Sequence, residues 1–138
     1  MTAALHKLAD WYETISVDSL SQLPEFYTDD CYFKDPFNET RSRADIHRIF
    51  TAMFDTLDSP RFIVDEMIGD GAKAFLAWRF EFGWRGRRMT IQGGSHLRFS
   101  SDGRVQYHRD YWDVAEELYE KLPVLGWIMR RIRNMARA

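Results

Sequence analysis

The chain has 138 residues, 45% hydrophobic and 15% aromatic, enough for one sizeable core and short for several domains. No run of about 18 apolar residues occurs, so no membrane-spanning helix is expected, and the single cysteine, Cys31, excludes an internal disulfide. The net charge of −2 is uneven: four arginines and no acid follow Pro123, leaving a mostly acidic body that argues against a nucleic-acid-binding surface.

Leu5, Leu8, Trp11, Tyr12 and Ile15 recur at helical spacing and predict a helix over residues 3–16. Asp18 stands where it could cap a second, short helix carrying Leu20, Leu23, Phe26 and Tyr27. TDD breaks that pattern, and CYFKDP reads as a short strand stopped by Pro36. Residues 42–57 put Ile46, Ile49, Phe50, Met53, Phe54 and Leu57 on one stripe, a third helix. After Ser59-Pro60 the period falls to two. RFIVDEMIGDG, AKAFLAWRFEFGWRG, RMTIQGGSHLRFSSDG and RVQYHRDYWDV read as four successive antiparallel strands, with a hairpin turn at Gly86 and a bulge or sharp bend at Gly93-Gly94. Helices followed by consecutive strands predict one α+β domain, residues 1–138, in which a curved antiparallel sheet wraps the N-terminal helices. PVLGWIMRRIRNMARA, residues 123–138, reads as an extra basic amphipathic helix. Such a helix packs on its own domain or on a partner more often than on a membrane.

On the long strand Arg79 and Glu81 share one face, and Trp78, Phe80, Phe82 and Trp84 share the other. Alternation alone leaves open which row faces the interior. On the last strand His108, Asp110 and Trp112 share a face, opposite Arg109 and Tyr111. A carboxylate sent among aromatics points to a pocket. No compact metal-binding spacing, Gly-rich phosphate loop or Ser-His-Asp arrangement occurs, so neither metal nor cofactor is expected.

Three stretches carry a family resemblance over about residues 3–122. FYTDDCYFKDPF resembles the acidic turn and first strand of ketosteroid isomerase. SHLRFSSDGRV resembles the hairpin before that fold's final strand. HRDYWD followed by VAEELYEKLP is similar to the closing segment of limonene epoxide hydrolase. Both belong, with SnoaL-type polyketide cyclases, to the nuclear transport factor 2-like superfamily. The resemblance implies a cone-shaped, cystatin-like fold with a pocket for a small apolar molecule and a homodimer through the sheet; the lone cysteine fits a cytoplasmic protein. It further implies an acid–Arg–acid relay at Asp110, Arg79 and Glu81, with Asp35 as base or water holder. Trp11, Tyr12, Phe33, Ser95, His108 and Trp112 would line the substrate site, and Leu125 and Trp127 would act as a lid. The chain departs from the pattern. Glu81 stands where the epoxide hydrolases use Asp, and Phe33 and Asp35 stand where they use Tyr and Asn. Ser95 takes the place of the isomerases' protonated acid. Three acids around one arginine would leave the site at −2, so either one acid titrates high or His108 supplies a proton. Asp35 also has a plainer reading, as the end of a strand before Pro36. The Arg79–Glu81–Asp110 set likewise reads as a catalytic relay, a ligand-orienting group or a structural ion network.

Overall fold

The first helix of the computed structural model, which describes residues 2–117 and Asn134, is α1 (Thr2–Glu13). It buries Leu5, Leu8, Trp11 and Tyr12 on one face, as its spacing requires. A 3-10 turn (Asp18–Gln22) and the single-turn α2 (Leu23–Phe26) follow. Asp18 is inside the 3-10 turn and caps nothing; Val17 is the capping position. The turn is held instead by Ser16 and Ser19, each of whose hydroxyls accepts the other's backbone N–H, at 2.8 and 3.1 Å.

Strand β1 (Tyr27–Lys34) runs through the TDD that reads as a break. Asp29 and Asp30 are exposed at an irregularity in its pairing, while Tyr27, Cys31 and Phe33 stay buried on either side. The short β2 (Glu39–Thr40) leads to α3 (Arg43–Thr56), whose Ser42 cap accepts the Asp45 N–H at 3.4 Å. Then come β3 (Asp58–Asp70), β4 (Lys73–Trp84), β5 (Arg87–Phe99), β6 (Val105–Tyr111) and the short α4 (Val114–Glu117). The expected helix over residues 123–138, with Leu125 and Trp127, lies outside the described residues apart from Asn134.

The six strands form one curved sheet in the order β2-β1-β6-β5-β4-β3. All pairs are antiparallel except β1 and β6, which run parallel, so the sheet is mixed rather than purely antiparallel. The hairpin between β4 and β5 turns at Arg85 and Gly86, both at positive φ (50° and 76°), the conformation that matches strand twist. Pairing then runs unbroken from Trp84↔Arg87 to Lys73↔Arg98, so Gly93-Gly94 forms no bulge. Gly93 serves a neighbour: a Cβ there would meet Trp78 Cη2 at 2.6 Å and the Tyr111 carbonyl at 2.9 Å. Helix α1 packs on β3, and α3 spans from β1 to β3 across the inner face. Among the described residues, no helix is long and apolar enough to cross a membrane.

Candidate functional site

Strand β4 decides the site. Its inner row, Trp78, Phe80, Phe82 and Trp84, turns toward α3, and with Phe62, Ile91 and Trp112 it walls a cavity of about 440 Å³. Phe62 stacks on Phe80 at 4.5 Å and meets Trp78 edge-on at 86°. From α3 come Ile49, Phe50 and Met53; from the end of β1 come Phe33 and Asp35. Asp110 reaches in from β6.

Arg79 and Glu81 stand on the opposite, outer face of β4. Arg79 forks onto Asp65 of β3, with N···O distances of 3.0–3.2 Å. That bond holds the half-exposed Asp65 carboxyl below its usual range. Four aromatic rings gain far more from burial than one arginine and one glutamate could, so the strand turns its charged row outward. The Asp110–Arg79–Glu81 relay therefore does not form, and with Glu81 outside, the site is not crowded by three acids. Trp11 also misses the cavity. It stacks on Phe26 at 4.9 Å, and its indole N–H donates to the Ser19 carbonyl at 3.2 Å.

Asp35 is at the cavity wall but committed to its own turn. Its Oδ1 accepts the backbone N–H groups of Phe37 (2.8 Å) and Asn38 (2.7 Å), and the Asn38 amide spans both oxygens.

Asp110 lies where the main cavity meets a smaller space lined by Tyr12, Ser95 and His108. Its Oδ1 accepts the Ser95 hydroxyl at 2.5 Å and bonds His108 Nε2 at 2.6 Å. Ser95 in turn accepts the Trp78 indole N–H at 2.9 Å. On the far side of the ring, His108 Nδ1 bonds the Tyr27 hydroxyl at 2.8 Å and the Tyr12 hydroxyl at 3.2 Å, and the two phenols bond each other. Burial, above all, holds both phenols well above their usual range, so both are neutral donors. Oδ1 is doubly occupied, and among the described residues Oδ2 has no hydrogen-bond partner, so Oδ2 is left for the cavity.

Of the residues expected at the site, the fold gathers Asp110, Asp35, Phe33 and Trp112 on the cavity, with Tyr12, Ser95 and His108 behind the acid. Tyr27 belongs to the same network although the sequence placed it in a helix. The signal was there: a phenol within a buried stripe needs a hydrogen-bond partner. Among the described residues no cluster of three or more His, Cys, Asp or Glu could hold a metal ion.

A model of the SnoaL-like domain matches residues 8–108. No curated protein gives a significant match. Among solved structures the chain is similar to an LEH-like epoxide hydrolase of M. tuberculosis, with 15% identity over 96% of this chain and 97% of that one, at a TM-score of 0.73. An ntf2-like protein of unknown function from Burkholderia pseudomallei has 18% identity over 84% and 95%, also at 0.73. TsrD from Streptomyces laurentii has 16% over 90% and 96%, again at 0.73. At these identities the likeness is one of fold.

Proposed function

The chain belongs to the SnoaL-like domain family, and on that premise we propose that it carries out cofactor-independent acid–base chemistry on a small, largely apolar molecule. One observation carries the reading: Asp110 presents one oxygen to an aromatic cavity while Ser95 and His108 hold the other. A carboxylate fixed in this way can take a proton from a carbon or a water beside it, and its donors steady the charge on either side of the transfer. Hydrolysis, isomerisation and cyclisation all use such a step.

A second reading is a ligand-binding module without turnover. It is favoured by the position of Glu81 outside and by the engagement of Asp35 in its own turn, which together leave Asp110 without a facing acid.

The base-catalysed opening of 5-nitrobenzisoxazole separates the two, because it needs only a carboxylate in an apolar site. The base removes the ring C–H proton as the N–O bond breaks, giving a coloured cyanophenolate. Wild-type protein should catalyse it above buffer, and Asp110→Asn should lose at least about 100-fold. A wild-type rate equal to buffer, or an unchanged Asp110→Asn rate, would leave the binding reading standing. We further propose that two copies associate through the outer sheet face, where Ile68, Phe75 and Tyr111 are exposed.

A further inference from the structure

We infer that the cavity takes a small organic cation, a quaternary or protonated tertiary ammonium on an apolar body. The inference rests on the reading of Asp110 as the acid that faces the cavity and names the ligand class for that same site.

Charge comes first. Among the described residues that line the cavity, the acids are Asp35 and Asp110, and there is no lysine or arginine. Among the described residues, Arg79 is engaged by Asp65 across the outer face and Arg88 by the Asp58 carbonyl, while Arg85 lies over the ring of Trp84 and is not itself a lining residue. His108 answers only Oδ1, from behind the wall, and is itself buried. A carboxylate oxygen turned toward apolar surface, with no lysine or arginine among the described lining residues, is costly. An anionic ligand would raise that cost. A neutral one without a hydrogen-bond donor would exclude water from Oδ2 and offer nothing in return. A cation offsets it.

The wall supplies the second half. Phe33, Phe62, Trp78, Phe80, Phe82 and Trp112 surround the same space. Aromatic faces attract a cation through the ring quadrupole, most strongly when water is excluded, and methylated ammonium groups meet them without needing a hydrogen bond. About 440 Å³ accommodates an ammonium head together with an apolar ring or short chain. Asp110 then lies beside the ammonium, positioned to bind the charge and to act on a neighbouring C–H or water.

The test compares two probes of equal shape, benzyltrimethylammonium and neopentylbenzene, which differ by a charged nitrogen in place of a carbon. Each is titrated into the full chain, with quenching of tryptophan fluorescence as the readout. The cation should bind at least about tenfold more tightly than its neutral isostere, and Asp110→Asn should reduce that ratio to the smaller part that the aromatic faces supply. Equal affinities, a preference for the neutral probe, no binding of either, or a ratio undiminished in Asp110→Asn would overturn the inference. The wild-type comparison needs no variant to fold. If the isoxazole is opened in an Asp110-dependent way but no cation preference exists, the acid–base reading stands and the ligand class falls. A cation preference without turnover gives the reverse.

Discussion

At the scale of single residues the site is one buried hydrogen-bond chain, Trp78–Ser95–Asp110–His108–Tyr27–Tyr12. Each donor has one acceptor when His108 carries its proton on Nε2 and Tyr27 donates to Nδ1. Burying phenols has a consequence at alkaline pH. In the unfolded chain a tyrosine ionises near pH ~10, whereas the buried Tyr12 and Tyr27 resist ionisation. Above that pH the unfolded state binds fewer protons than the folded one, so stability falls as pH rises. Cys31 acts in the same sense and earlier, because burial lifts its thiol from 9.0 to about 12. The unfolding free energy read from urea titrations should therefore decline from pH ~9 and steepen past pH ~10, by up to about 1.4 kcal/mol per pH unit for each group in play, and the urea midpoint should fall with it. Cys31→Ala should remove the earlier part of the slope. A midpoint flat between pH 8 and 11 would contradict this. The inward set His108, Asp110 and Trp112 was legible at this scale, because period two fixes which side chains travel together. Trp11 was not, since a buried helical stripe does not say which of its residues border a cavity and which border another ring.

Whole elements explain the larger error. Alternation divided β4 into a charged row and an aromatic row correctly but could not say which row faces in. The family resemblance favoured Arg79 and Glu81, and the packing chose the four rings. Substitutions on the two faces should accordingly differ. Arg79→Ala removes a half-exposed ion pair and should change stability by no more than about 1 kcal/mol, with the isoxazole reaction unaffected. Gly93→Ala, on the adjoining strand, drives a methyl against the Trp78 ring and the Tyr111 carbonyl. It should cost about 1–3 kcal/mol and weaken ligand binding, because Trp78 walls the cavity and holds Ser95. Thermal melts and probe titrations of the two variants check the contrast. The Gly-Gly pair was noticed in the sequence for a bulge, yet its use is clearance for a side chain on the neighbouring strand, which no local pattern reveals.

Across the molecule, the order of helices and strands and the curved sheet were readable from changes of period along the chain. The neighbour of β1 was not. Tyr27 pairs with Val105 and Phe33 with His108, partners so distant in sequence that no local signal links them. The outer sheet face is the molecule's exposed apolar surface among the described strands. It carries Phe75, Ile68 and Tyr111 beside the Arg98–Tyr107 and Arg109–Tyr111 cation–π pairs. Light scattering on the full chain should give twice the 16.4 kDa chain mass, and Phe75→Glu should return it to one. A monomeric wild type would rule out this association.

The parallel seam between β1 and β6 also sets a timetable. During synthesis β1 emerges early with only the two-residue β2 to pair with, and its main partner is among the last strands made. The acid of the site arrives on that late strand, so a nascent chain shows its aromatic wall before it has Asp110 or the closing strand. Contacts this far apart along the chain close slowly. Until β6 docks, the open edge of β1 and the row from Trp78 to Trp84 are surfaces for a chaperone to shield or for another nascent chain to capture.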